Sequence, residues 1–304
     1  MDGIAVINKA AGMTSHDVVA RVRRLVGQRR AGHAGTLDPT ATGVLPVLLG
    51  QATRVAEYLS ESGKAYRATI RFGVETTTYD SEGEITHEAP VHLALEDIER
   101  ALPEFLGEQD QLPPVYSAIK RGGVPLYALA RAGEAVEVTP RRIRIDELRI
   151  VRWAPPDLTL DVECGKGTYI RSLAHDLGQR LGPGAHLTGL IRTRSGPFTL
   201  SQAITLEELD AALTNGSWRD RLFATDEALL DWRAAILGQE NSVRLRTGQR
   251  IHFAQRLTTE PPAESELIRA YSTDGHFLGI MRWSGADQSW RPHKTLAIGP
   301  EPDE

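Results

Sequence analysis

A chain of 304 residues, 41% hydrophobic and 25% charged, can bury a full core, and its length suits one large domain plus a small one. Its net charge of −5 argues against a uniformly basic surface; no apolar run reaches roughly 18 residues and no basic-then-apolar N-terminus occurs, so neither membrane span nor signal peptide is expected, and a cytoplasmic location is. The nine histidines show no metal-ligand spacing with carboxylates and the single cysteine, Cys164, has no internal disulfide partner, so no metal cofactor is expected and Cys164 reads as a small core residue.

In chain order, Ile4-Ala5-Val6-Ile7 reads as a short buried strand and the turn Asn8 to Met13 leads into a helix capped by Thr14 or Ser15. Val18, Val19, Val22, Leu25 and Val26 share one helical face and Gly27 ends it. The stretch from Gly32 to Pro46 follows, with Asp38 its one carboxylate and no acid before it nearer than Asp17. Its glycines permit positive φ or close approach of a ligand, and Pro39 pushes Asp38 toward extended backbone. Two readings stand: Asp38 caps a short helix from Pro39 to Gly43, or the loop presents its carboxylate to a ligand. Beyond Lys64, the residues Tyr66, Ala68, Ile70 and Phe72 alternate with Arg67, Thr69 and Arg71, as in a strand with one buried face.

Asp80-Ser81-Glu82-Gly83 marks a turn, and an acidic helix is expected near Leu95 with Ile98 and Leu102 inward and Pro103 at its end. The run Leu112 to Lys120 reads as an ordered loop, with a short helix over Leu126 to Arg131. Residues 142 to 153 form a basic strand whose inward set changes from Ile143 and Ile145 to Leu148 and Ile150, which requires a bulge at Asp146-Glu147. Leu158, Leu160, Val162 and Cys164 define the next strand. Gly165-Lys166-Gly167-Thr168 lacks the spacing of a phosphate-binding P-loop, and Gly182-x-Gly184 lacks the third glycine of a dinucleotide fingerprint. Thr168 instead reads as the N-cap of a helix with Ile170, Leu173, Ala174, Leu177 and Leu181 inward and Gly182 as its stop, leaving Arg171 off the buried face to meet an anion. Two short helices are expected between Leu206 and Leu230. Thereafter the runs Val243 to Phe253, Leu267 to Tyr271 and Phe277 to Trp283, split by turns such as Thr273-Asp274-Gly275-His276, suggest a small β barrel, and residues from Gly299 read as a frayed end.

Charge is segregated. Arg21, Arg23, Arg24, Arg29 and Arg30 lie between Asp17 and Asp38 with no acid; residues 165 to 197 carry Lys166, Arg171, Arg180, Arg192 and Arg194 against Asp176 alone. Residues 75 to 110 hold eleven acids and one arginine, expected on a face turned away from any polyanion. Such a field can bind nucleic acid on one side despite the negative total.

The run Gly-His-x-Gly-x-Leu-Asp-Pro-x-Ala-x-Gly-x-Leu-Pro at 32 to 46 closely resembles the catalytic motif of the TruB family, the tRNA pseudouridine-55 synthases. Lys9-x-x-Gly12-x-Thr14-Ser15, the Pro-Pro-x-Tyr-Ser-Ala-x-Lys run from Pro113 to Lys120, Gly167-Thr168-Tyr169-Ile170-Arg171 and Ala185 to Phe198 resemble further blocks of that family; Ile119 takes a leucine slot. The resemblance implies an α+β fold, a mixed, mostly antiparallel sheet with flanking helices over residues 1–232, and a small PUA-like β barrel over 238–299. It also implies isomerisation of uridine 55 in the T arm of tRNA without a cofactor, by a monomer with no obligate protein partner. Asp38 would be the catalytic residue and Arg171 its partner; Tyr66, Tyr169 and Leu190 would hold the flipped base, and His33 would contact the RNA. A noncatalytic tRNA-binding or tRNA-folding protein would use the same arginines without needing Asp38; a glycosidase-type nucleoside hydrolase would want a second carboxylate, which none of the matched blocks supplies.

Overall fold

A computed structural model describes residues 2–116, 120–121, 124–125, 138–253 and 261–296; the expected helix over Leu126 to Arg131, Ile119 and the end beyond Gly299 lie outside the described residues. The first strand, β1 (Gly3–Lys9), is followed by α1 (Ser15–Val26), β2 (Ala31–His33), β3 (Thr42–Leu49), α2 (Ala56–Glu61) and β4 (Lys64–Phe72). Next come β5 (Val74–Thr76), β6 (Ile85–Glu88), α3 (Leu95–Ala101), β7 (Gly107–Gln111), and the two-residue ladder β8 (Lys120–Arg121) and β9 (Val124–Pro125). β10 (Arg141–Ala154), β11 (Asp157–Cys164), α4 (Ile170–Leu181), β12 (Ala185–Ser195), β13 (Phe198–Thr199), α5 (Leu206–Thr214) and β14 (Leu222–Phe223) complete the large unit.

Ten strands make one sheet, in the order β14-β1-β3-β12-β4-β11-β10-β7, with β2 beside β3 and β13 beside β12. Its pairings are antiparallel except β3 with β12, where Ile191 faces Thr42 and Arg192 faces Gly43. This is the mixed, mostly antiparallel sheet expected. α1, α4 and α5 cover one face, where Val18, Val22, Leu173, Leu177 and Leu209 pack on Ile7, Leu45, Ala68, Ile70 and Leu160. The bulge between Ile145 and Glu147 lies where the change of inward residues requires it.

Thr14 rather than Ser15 caps α1: its side chain accepts the Asp17 N–H and Asp17 reaches back to the Thr14 N–H, a reciprocal cap, and Gly27 closes the helix at φ 64°. Ser15 is thereby released to bond the Leu37 backbone, tying α1 to the Asp38 loop.

The C-terminal unit is a separate sheet of β15 (Ala234–Leu237), β16 (Leu267–Ser272), β17 (Phe277–Ser284) and β18 (Ser289–Thr295); β15 and β16 are parallel and the rest antiparallel. The expected β run Val243 to Phe253 is corrected: Gln239–Arg246 form a helix, α6, which buries Ser242 and Leu245 against this sheet. Only Ile251 keeps a strand-like role, bridging to Trp290. Period-2 spacing of Val243 and Leu245 is also i, i+2 on a short helix, and Val243 in fact faces solvent.

Candidate active site

Asp38 does not cap a helix. Its carbonyl accepts the Ala41 N–H at 3.1 Å, a single turn, and β3 starts at Thr42, so the helix reading of Pro39 to Gly43 is replaced by a turn feeding a buried strand. Gly43 is required there: at φ 101°, a Cβ would sit 2.3 Å from the Arg192 carbonyl on the parallel neighbour. Asp38 is left half-exposed at the edge of a cleft of about 420 Å³, within the usual size range for ligand sites.

The cleft is lined by Asp38, Tyr66, Tyr169, Arg171 and Leu190, together with Lys64 and Arg192. Tyr66 is the third residue of β4, Leu190 comes from the facing register of β12, where it pairs with Ala68, and Tyr169 is the residue before α4. Tyr169, not Thr168, is the N-cap residue of α4. Its N–H is taken by Gln111 Oε1 at 2.8 Å, while the Thr168 hydroxyl bonds back to the Gly165 carbonyl. Five of the six expected site residues therefore meet in one cleft. His33 is not among the lining residues; at the end of β2 it meets His16 edge-on at 5.3 Å, and burial, with His16 and Arg192 adding, holds its imidazole below the usual range.

Arg171 departs from expectation in its setting. It is buried rather than off the core face, with 6% of its surface exposed. Its Nε lies 3.0 Å from Asp38 Oδ2, off the line of a hydrogen bond, so the contact is an ion pair; its other nitrogens bond the Thr78 and Tyr116 carbonyls at 3.2 and 2.9 Å. A second carboxylate, Asp80, stands 3.4 Å from Arg171 Nη1. Asp80 is itself fixed by the Thr78 hydroxyl and the Glu82 N–H and follows Tyr79, a left-handed residue (φ 63°) stacked on His175 at 3.9 Å. The acidic stretch 75 to 110 thus sends one member into the site, against expectation; as part of the turn signal Asp80 to Gly83 it carried no distinguishing mark.

The basic run from 165 to 197 is likewise corrected. Arg171 and Arg192 are buried, and Lys166, Arg180 and Arg194 pair with Glu61, Glu104 and Glu163, so this run is not an open cationic face. Arg21, Arg23, Arg24, Arg29 and Arg30 on and after α1 do remain exposed. Cys164 is buried and free, its thiol pushed up to about 11 by burial, which removes it as a nucleophile.

Two further groups secure the loop and a third lies beside it, and none of the three was given a role in sequence. Lys9 Nζ, fully buried, donates to the Pro39 carbonyl at 3.0 Å and to Ala10 and Met13; Arg192 reaches the Gly35, Thr36 and Val44 carbonyls; Lys64 lies on the inward face of β4. The carboxylate is consequently mounted on backbone held from both sides, the condition for a group that acts at a fixed position.

Two family models match. Residues 23–170 match the TruB family pseudouridylate synthase N-terminal domain and residues 171–236 the tRNA pseudouridylate synthase B C-terminal domain. The chain is 45% identical over 297 residues to tRNA pseudouridine synthase B of Dehalococcoides mccartyi strain 195, covering 97% of each chain, and 43% identical over 284 residues to that of Burkholderia mallei strain NCTC 10247, covering 93% of this chain and 94% of the relative. Among solved structures it resembles a chain of a Cbf5-Nop10-Gar1 complex, with a TM-score of 0.74 and 25% identity over 96% of this chain and 84% of the other.

Proposed function

The chain belongs to the TruB family of pseudouridylate synthases, and from that premise we propose that it converts uridine 55 in the T arm of tRNA to pseudouridine, with Asp38 as the catalytic group. Isomerisation of uridine in tRNA is the activity of this family. The observation that supports the finer reading best is the half-exposed Asp38 carboxylate, 3.0 Å from a buried guanidinium, at the edge of a cleft whose walls are Tyr66, Tyr169 and Leu190.

The chemistry breaks the N1–C1′ bond, turns the uracil within the pocket and joins C5 to C1′. Nothing is oxidised or lost, so the reaction itself calls for no cofactor. A stacked base cannot be reached in place and is flipped out, to be held by aromatic and apolar groups. Tyr66, Tyr169 and Leu190 hold it; Asp38 either attacks C1′ or removes the C2′ proton to give a glycal. Arg171, braced by Asp80, orients the carboxylate. His33 meets the RNA beside the cleft. The sheet from Ala234 to Thr295 serves as a further RNA-binding unit of the PUA kind, and the protein works as a monomer in the cytoplasm.

A hydrolase reading gains one observation, since Asp80 puts a second carboxylate near the site. It is nevertheless only 7% exposed and committed to Arg171, Thr78 and the Glu82 N–H, which leaves it poorly suited to activate water. Incubation with an unmodified tRNA transcript, followed by chemical adduct formation and reverse transcription, tests the choice. Pseudouridine at position 55 is expected; free uracil would mean hydrolysis, and unchanged RNA would mean binding alone.

A further inference from the structure

Two buried cations, Arg192 and Lys64, line the cleft and, among the described residues, pair with no carboxylate. Arg192 has none of its surface exposed. Its Nε donates to the Val44 carbonyl at 2.7 Å, Nη1 to the Thr36 carbonyl at 3.3 Å and Nη2 to the Gly35 carbonyl at 3.0 Å, and its backbone pairs with Tyr66 across the β12–β4 ladder. Lys64, 6% exposed and two residues from Tyr66 on the same face of β4, donates to the Ser60 and Ser62 carbonyls at 2.8 and 2.6 Å. A Cβ added to Gly35 would lie 3.5 Å from both Arg192 Nη1 and Lys64 Cε, so the two flank one glycine of the Asp38 loop. Among the described residues neither cation forms an ion pair, whereas Arg171 meets two carboxylates.

A cation satisfied only by neutral carbonyl oxygens has no counter-charge to cancel its field, and in a buried setting that field acts at longer range than in water. We propose that Arg192 and Lys64 are positioning residues that form a second cationic pole of the pocket, on the Tyr66 side, and stabilise the uracil ring when it carries negative charge. The proposal rests on the function given above. Before reaction the negative charge resides on Asp38, beside Arg171. When the N1–C1′ bond breaks, its electron pair leaves with N1; C1′ is then bonded by Asp38, or the C2′ proton passes to Asp38 and a glycal forms. By either route Asp38 loses its charge and the uracil gains it. The charge returns when C5 bonds C1′ and Asp38 leaves or gives back its proton; the proton on C5 is then lost and N1 takes one up, so the isomer is neutral. Arg171 suits the first location of that charge and the Arg192–Lys64 pair the second, while the carbonyl bonds of Arg192 hold the loop and Tyr66 at a fixed separation.

The test is a single-turnover measurement with excess enzyme on unmodified tRNA transcript, alongside the Kd for the same RNA and folded fraction by circular dichroism. Arg192→Lys keeps the charge and Arg192→Met removes it at similar length. The expected result is a rate within about tenfold of the unaltered protein for Arg192→Lys and a loss of about 100-fold or more for Arg192→Met, with Kd changed less than about threefold in both. Equal rates for the two variants, or a Kd that moves as far as the rate, would overturn the second pole. If Arg192→Met does not fold, Arg192→Gln replaces it under the same criterion; if neither neutral variant folds, Arg192 is a folding determinant only and the proposal is overturned. Failure of the unaltered protein to make pseudouridine would instead overturn the functional reading itself.

Discussion

Around Asp38, charged groups from distant stretches of chain are buried against one another. Lys9, Lys64, Asp80, Arg171 and Arg192 are each less than a tenth exposed, and their bonds run mostly to backbone carbonyls or to each other. In the sheet from Ala234 to Thr295 the arrangement is reversed. Its interior is apolar, built from Leu237, Leu245, Ile268, Leu278, Met281 and Trp290, and its ion pairs, such as Arg244 with Glu240 and Arg250 with Asp287, stay at the rim. Burying charge costs free energy that rim pairs never incur. The large unit carries that cost where the loop must be held still, and the small unit has the ordinary economy of a folded module. Substitutions in the first region should therefore alter turnover, and those in the second should alter affinity or stability.

After Asp38 itself, the largest effect is expected at Arg171. Arg171→Met removes the partner of Asp38 and strands Asp80, so turnover should fall by about 10³-fold, measured as pseudouridine formed under single-turnover conditions. Asp80→Asn keeps the shape of the side chain but leaves Arg171 with one carboxylate. A fall of about 100-fold in turnover is expected, with tRNA affinity held within about threefold; an equal loss of affinity would show that Asp80 supports binding rather than geometry.

Lys64 gives a pH-dependent test. Burial, with the charge of Arg192 adding, brings its ammonium down to about 8, against the opposing influence of Cys164 and Glu61. The unfolded chain binds this proton more tightly than the folded one, so between pH 8 and the ordinary lysine value of 10.5 stability rises with pH, and below pH 8 the full cost is present. Measured as thermal midpoints, wild type should gain on Lys64→Met from pH 8 to 10, by an amount of order 2 kcal/mol. A gap that stays constant over that range would place Lys64 in water.

The smallest effect is expected where the two units meet. Lys294 donates to the Arg54 carbonyl at 2.8 Å, pairs with Glu57 and lies 5.1 Å above the Tyr58 ring. Lys294→Ala should lower stability by about 1 kcal/mol and change turnover less than about threefold, read from chemical denaturation and single-turnover rates. A large loss of turnover would mean that the small sheet positions the cleft, and the contrast between the two regions would fail.

What could be seen in the sequence follows the same division. Asp38, Tyr66, Tyr169, Arg171 and Leu190 stand in blocks whose residues sit at fixed spacings, and alternation along β4 and β11 placed their faces correctly. Arg192 was hidden among the basic residues of Ile191-Arg192-Thr193-Arg194. What buries it is a cage of carbonyls from residues 35, 36 and 44, and carbonyls leave no mark in side-chain patterns. Asp80 was hidden for a related reason: an acid in a turn reads as solvent-facing until the partner 91 positions later is seen beside it. In the small unit, Val243 to Phe253 failed because an eight-residue helix burying only Ser242 and Leu245 has too little apolar periodicity to be told from a strand.

In the proposed reaction the Asp38 carboxylate acts at the ribose of a uridine drawn out of its RNA stack. This role is probed by pairing the single-turnover rate with the Kd of Asp38→Asn on an unmodified tRNA transcript, since asparagine keeps the shape and removes the charge. Conversion reduced by at least about 10⁴-fold, with Kd within about threefold of wild type, is expected; turnover within about tenfold of wild type at the same occupancy would show that the carboxylate is not the acting group.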